Sequence, residues 1–416
     1  MDLLRFITAG SVDDGKSTLI GRLLYDTDSI KVDQLATIQK QSKNKNEGEI
    51  DLALFTDGLR AEREQGITID VAYKYFNTEK RKFIIADAPG HIQYTRNMVT
   101  GASNADLIII LVDARNGVSE QTRRHSIIAS LLRIPHVVVA VNKMDRMDHS
   151  EEVFNNIVID YSKMAAQLGL DDVTFIPMSA LNGDNIVHAS ESMPWYGGKT
   201  LLDVLENIDV KHDADLDRGR FPVQYVIRPQ TDDLHDYRGY AGRITSGTFR
   251  KGDKLHVLPA GLSATISAIE VNGAEVSEAI AGQSVTILLN EDVDISRGDV
   301  LVPESQSPKV TQQVDATLCW MDNRPLVPGN KYLLQVQSKV VRCVVREIHH
   351  KLDVQTLEKH PAHEAGLNDI VQVELKTATP VVYDEYNDLR AGGGAILIDE
   401  TSFNTVAGCM LQHAVA

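Results

Sequence analysis

The sequence predicts a multidomain chain: an α/β domain built on a mostly parallel sheet, followed by two all-β barrel domains. Three observations carry that expectation. The 416 residues are enough for roughly three domains at about 150 residues each. Up to about Asn207, short β-branched runs alternate with helix-like stretches, as in a buried parallel sheet. From Phe221 onward strands follow one another across glycine turn pairs, as in barrels or sandwiches. The expected domain limits are 1–210, 219–306 and 309–416.

In the first region Arg5–Ala9, Lys82–Ala86, Leu107–Val112, Val137–Val141 and Val173–Pro177 read as strands, and Thr18–Tyr25 carries a helical period. The acidic stretch Lys211-His212-Asp213-Ala214-Asp215 marks the change of character. Beyond it the strands are Gln224–Ile227, Lys254–Leu258, Ser284–Leu289, Val340–Ile348, Ile370–Leu375 and Ala395–Ile398. Gly252-Asp253 and Gly298-Asp299 are turns, and a break falls near Ser305–Lys309.

Composition narrows the function classes. Lys plus Arg total 42 against 58 Asp plus Glu, a net charge of −16, so no global basic field draws the molecule to nucleic acid or to an anionic membrane. The longest apolar runs, such as Leu107–Val112, fall far short of the ~20 residues of a spanning helix. The start, Met1-Asp2-Leu3-Leu4-Arg5, has no secretory signal pattern. Cys319, Cys343 and Cys409 stand far apart, in a number and spacing that suit neither a disulfide framework nor a zinc site. Cytoplasm is the expected compartment.

The chemistry lies in five motifs. Gly10-Ser11-Val12-Asp13-Asp14-Gly15-Lys16-Ser17 fits a phosphate loop between a strand and a helix, with Thr18 following. Glycines let backbone N–H groups wrap phosphates, Lys16 reaches the terminal phosphates and Ser17 coordinates Mg²⁺. Asp87-Ala88-Pro89-Gly90 follows the second strand, where Asp87 can hold the Mg²⁺ shell and the Gly90 N–H can sense the terminal phosphate. Asn142-Lys143-Met144-Asp145 ends another strand. The Asp145 carboxylate can accept from the N1–H and the exocyclic amine of guanine, which adenine cannot offer. Ser179-Ala180 closes the base pocket. In Glu64-Gln65-Gly66-Ile67-Thr68-Ile69, Thr68 can reach Mg²⁺ and the γ-phosphate and let go after hydrolysis. The ligands expected are therefore GTP, GDP and Mg²⁺. The long connection Ser29–Gln65, with Ile30, Val32, Leu35 and Ile38 at helical spacing, is expected to reorder with nucleotide state.

With these motifs in this order the chain resembles the translational-type P-loop GTPases, in which a GTPase domain precedes two β-barrels as in elongation factor Tu. The resemblance covers essentially all of it. Within that class it looks most like the GTPase subunit of heterodimeric sulfate adenylyltransferase (ATP sulfurylase). The closer match rests on Gly10–Ser17, Asp57–Asp70, Gln121-Thr122-Arg123-Arg124-His125 and Ser190–Tyr196. Elongation factor Tu typically has His and Thr where this loop has Asp14 and Ser17, and Arg where this chain has Gln65, departures that favour the sulfurylase branch. The resemblance implies a smaller adenylyltransferase partner that makes adenylyl sulfate and pyrophosphate from ATP and sulfate, driven by GTP hydrolysis in this chain. It also implies that His91 orients the attacking water, beside Lys16 and Thr68. No adenylyl-sulfate kinase is expected within these residues. The alternative is a translation GTPase carrying aminoacyl-tRNA.

Other features read as structure. Gly198-Lys199-Thr200 lacks the first glycine of a second phosphate loop and reads as a helix start. His360-Pro361-Ala362-His363 reads as a solvated loop, His349-His350 as a strand end and Glu79-Lys80-Arg81-Lys82 as a solvated hairpin turn. Trp195-Tyr196 fits core packing or a partner anchor.

Overall fold

The computed structural model describes residues 2–30, 52, 70–90, 95–210, 215–229, 237–353, 356 and 358–413. The chain divides into two compact units, Met1–Val210 and Lys211–Asp353 with Glu358–Ala416.

In the first unit β1 (Asp2–Ala9), β2 (Ala72–Asn77), β3 (Arg81–Asp87), β4 (Leu107–Asp113), β5 (His136–Asn142) and β6 (Val173–Pro177) form one sheet in the order β2-β3-β1-β4-β5-β6. Neighbours pair in parallel except β2, which runs antiparallel to β3 at the edge. All seven residues of β4 are buried, because a strand in mid-sheet is covered on both faces. The helices are α1 (Lys16–Asp26), α2 (Thr95–Ala102), α3 (Glu120–Leu131), α4 (Glu151–Leu168) and α5 (Leu201–Asn207). Leu19, Ile20 and Leu23 of α1 and Leu201 and Leu205 of α5 share one apolar cluster with Phe6, Phe76 and Phe83. Ser119 starts α3 with a reciprocal cap: its hydroxyl accepts from the Thr122 N–H and the Thr122 hydroxyl accepts from the Ser119 N–H, both at 3.2 Å. A 2.8 Å hydrogen bond between the Ser126 and Tyr161 hydroxyls ties α3 to α4.

The second unit is all-antiparallel. Its first half holds β7 (Phe221–Pro222), β8 (Tyr225–Ile227), β9 (Gly239–Arg243), β10 (Thr248–Arg250), β11 (Lys254–Leu258), β12 (Leu262–Val271), β13 (Ala274–Val276), β14 (Glu278–Ile280), β15 (Ser284–Leu289) and β16 (Val300–Pro303). The main sheet runs β7-β16-β11-β12-β15-β9-β8 around Phe221, Tyr240, Phe249 and Leu255. The second half holds β17 (Lys309–Trp320), β18 (Lys331–Val336), β19 (Lys339–Leu352), β20 (Lys359–His360), β21 (Ile370–Tyr383), β22 (Gly394–Ile398) and β23 (Thr405–Gln412). Its order β18-β22-β23-β17-β21-β19 closes on itself through a β18–β19 pairing. Along β17, Val314, Ala316, Leu318 and Trp320 alternate into this barrel's core, the period of two expected of a strand. The fold is thus an α/β domain followed by two β-barrels. Cys319, Cys343 and Cys409 are free and buried.

Several local expectations change. The hairpin expected at Glu79–Lys82 is present, and its first arm, for which the sequence reading gave no range, is the edge strand β2. Arg81 is no solvated turn residue: it is 6% exposed, and its guanidinium donates to the carbonyls of Leu205 and Ile208 at 3.0 and 2.7 Å. His360 belongs to β20, and His349-His350 lies two residues inside the end of β19. Trp195 and Tyr196 pack on Phe154, at ring-centroid distances of 5.5 and 6.1 Å. Thr200, as expected of a helix start, caps α5 by accepting from the Asp203 N–H at 3.3 Å. Of Ser29–Gln65, only Ser29, Ile30 and Leu52 are among the described residues.

Candidate nucleotide-binding site

The phosphate loop leaves β1, Asp87 ends β3, Asp113 ends β4, Asn142 ends β5 and Ser179 follows β6. All five therefore gather at the carboxyl edge of the parallel sheet, beside the point where the chain crosses from β3 over β1 to β4. In open α/β folds this is where ligands bind.

The loop from Gly10 to Ser17 passes Val12 and turns at Asp13 and Gly15, with φ of 68° and 97°. The latter lies in the left-handed region that glycine enters freely. Lys16 opens α1, and Ser17 and Thr18 follow in its first turn. The Lys16 ammonium is buried and donates to the carbonyls of Gly10 and Ser11 at 3.0 and 2.9 Å. Burial pushes its pKa down, against the raising charges of Asp87, Asp14 and Asp13. Asp14 staples the loop, accepting from the Ser11 N–H at 2.5 Å; burial raises its carboxyl pKa against that bond and the Lys16 charge. Asp87 is 1% exposed and accepts from the Thr8 hydroxyl at 3.2 Å. Gly90 passes so near Lys16 that a Cβ there would lie 2.5 Å from the Gly10 oxygen and 2.6 Å from Nζ, so the position requires glycine.

Asn142 links the phosphate loop to the segment after β6. Its Nδ2 donates to the Asp14 carbonyl at 2.8 Å and its Oδ1 accepts from the Ala180 N–H at 2.9 Å. Lys143, at φ 63°, donates to the Asp13 carbonyl and pairs with Asp113 at 2.9 Å. Ser179 donates to Oδ1 of Asp145 at 2.7 Å. Gly15, Thr18, Asn142, Lys143, Asp145 and Ala180 help to line a cavity of about 270 Å³, large enough for a nucleobase.

The structure thus brings together Gly10 to Thr18, Asp87, Gly90, Asn142, Lys143, Asp145, Ser179 and Ala180. Thr68 and His91 lie outside the described residues. Sequence reasoning missed Asp113 and Arg115. Arg115 forks onto Asp113, with Nε at 3.0 and 3.2 Å and Nη2 at 2.6 Å. Burial would raise the Asp113 pKa, but the bonds from Arg115 and Lys143 outweigh it and lower it to about 2. Its position at a strand end, like that of Asp87, was the available signal.

Known proteins show the same organisation. The elongation factor Tu GTP-binding domain family matches residues 1–210, the elongation factor Tu domain 2 family matches 240–302 and the GTP-eEF1A C-terminal domain-like family matches 313–412. Sulfate adenylyltransferase subunit 1 of Aliarcobacter butzleri is 51% identical over 99% of this chain and 87% of its own length. Its counterpart in Chromobacterium violaceum is 52% identical over 99% and 86%. The bifunctional enzyme CysN/CysC of Mycobacterium tuberculosis is 51% identical over all of this chain and 68% of its own.

Proposed function

The chain belongs to the sulfate adenylyltransferase subunit 1 family and carries an elongation-factor-Tu-type GTP-binding domain; from that premise we propose that its GTP hydrolysis drives formation of adenylyl sulfate and pyrophosphate by a smaller adenylyltransferase partner. Identity of about half the residues along the whole chain supports this over the carriage of aminoacyl-tRNA. The geometric observation that carries the GTP assignment is Asn142, whose amide fixes both the phosphate loop and the Ala180 wall.

The residues have separable roles. Nucleotide phosphates replace the Gly10 and Ser11 carbonyls as partners of Lys16, while the N–H groups opening α1 point at the same anion. Ser17 and Asp87, with Thr68, offer the hard oxygen donors that suit Mg²⁺, an ion usually completed by phosphate oxygens and water. It supplies charge neutralisation. Asp145, oriented by Ser179, reads the guanine edge. His91 orients the attacking water; phosphoryl transfer depends mainly on such positioning and on charge neutralisation.

Titration with GTP and ATP tests the reading. GTP should bind at least a hundredfold more tightly, the order that a missing buried hydrogen-bond pair produces, and Lys16→Ala should abolish productive binding. Equal affinities for both nucleotides would overturn it.

A further inference from the structure

We propose that Asp113 is a positioning residue of the base pocket: it holds Lys143 in place and thereby sets how long a guanine nucleotide is retained. This rests on the GTP reading above.

Four observations support it. Asp113 stands directly opposite Asn142 in the parallel β4–β5 pairing, so its carboxylate leaves the sheet beside the base-reading tetrad. It is 3% exposed, and a buried carboxylate persists only when paired. Its Oδ2 takes the Lys143 ammonium at 2.9 Å and Nη2 of Arg115 at 2.6 Å, so one anion restrains two cations. Lys143 itself helps to line the base cavity, from a left-handed backbone position that aims its side chain back over the phosphate loop.

The charges around the pair show what its loss would do. Asp13, Asp14 and Lys16 surround this part of the loop. Without Asp113 the Lys143 ammonium is left with the Asp13 carbonyl and exchanges that bond for the acidic loop side chains or solvent. The wall it forms against the base then loosens while the Asp145 edge contacts stay. Retention should suffer and base selectivity should not.

Release of a fluorescent GDP analogue from the full chain tests this. Asp113→Ala and Lys143→Ala should each speed release about ten- to a hundredfold, the range for losing a hydrogen bond to a charged group. The double variant should release no faster than Lys143→Ala alone, since coupled residues are not additive. Asp113→Asn, which keeps an acceptor without the charge, should fall between, and it completes the same cycle if Asp113→Ala does not fold. In Asp113→Ala the preference for GDP over inosine diphosphate in competition should match the unsubstituted chain, a readout that general loss of structure would alter. Additive effects in the cycle, an Asp113→Ala effect absorbed by Arg115→Ala instead of Lys143→Ala, or unchanged release would each overturn the proposal. Failure of the unsubstituted chain to bind the GDP analogue would instead overturn the GTP reading.

Discussion

Asp145 shows how much chemistry one side chain can carry. Ser179 donates to one carboxylate oxygen at 2.7 Å and Arg146 lies 3.5 Å from the other, so the carboxylate is oriented before a base arrives. Asp145→Asn replaces an acceptor with an amide that can donate to the exocyclic oxygen of xanthine. Nucleotide titration should show GTP weakened by about a hundredfold and xanthosine triphosphate preferred; unchanged GTP affinity would remove Asp145 from base reading. His125 makes a different point. Burial, then the charges of Lys16 and Arg124, lowers its pKa to about 3, whereas an unfolded histidine titrates near ~6.5. Below that pH the unfolded chain takes up a proton that the folded chain refuses, so stability falls as pH drops from ~6.5 toward 3, by up to about 1.4 kcal/mol per unit. His125→Gln should flatten this window in chemical denaturation, and an identical pH slope in both proteins would contradict the burial argument.

At the scale of elements, the β2–β3 hairpin is tied to the end of α5. Besides the two carbonyls, Arg81 pairs with Asp2 at 3.0 Å, and Lys80 reaches Glu206 at 2.8 Å. Cations suit a helix C-terminus, whose last carbonyls lack partners. Arg81→Ala should destabilise the first unit by about 2 kcal/mol, with hydrogen exchange rising first in Leu201–Ile208, while Lys80→Ala, on an exposed side chain, should have a far smaller effect. Equal effects of the two would show that burial of Arg81 does not matter. Arg81 also marks where sequence reading stops. The buried strands were legible because both faces are apolar, so a β-branched run is sufficient signal, and ends slipped only by a residue or a few. β2 was legible only through its hairpin turn, not by its own range: only Phe76 is fully buried, and Tyr73 and Tyr75 face outward. The burial of Arg81 depends on carbonyls more than a hundred positions away, which no local pattern encodes. The site divides likewise. The phosphate loop and the base tetrad are contiguous strings, but Asp113 becomes functional only through strand pairing.

For the whole molecule, the two barrels are fastened within their unit by a buried bidentate pair, Arg220 with Asp384 at 2.9 and 2.8 Å. The Ser338 hydroxyl adds a bond to the Val223 carbonyl at 2.9 Å. Removing one partner of such a pair strands a buried charge, so the barrels are suited to act as one body. The chain belongs to the sulfate adenylyltransferase subunit 1 family, and on the proposed reading its work passes through a difference between nucleotide states. A ligand shifts a partner only by its differential interaction with two states. On that reading hydrolysis is the step that switches those states, and His91, to which the resemblance assigns the attacking water, is the position that tests it. A side chain that positions the attacking water typically contributes about 10²–10⁴-fold, so His91→Ala should cut GTP turnover by that order and leave GTP affinity nearly unchanged. In the copurified complex, GTP-stimulated adenylyl sulfate formation should fall in parallel. Measuring GDP and adenylyl sulfate in the same reaction decides the matter: if GTP turnover collapses while stimulated adenylyl sulfate synthesis continues undiminished, hydrolysis does not drive the partner, and binding alone must carry whatever coupling exists.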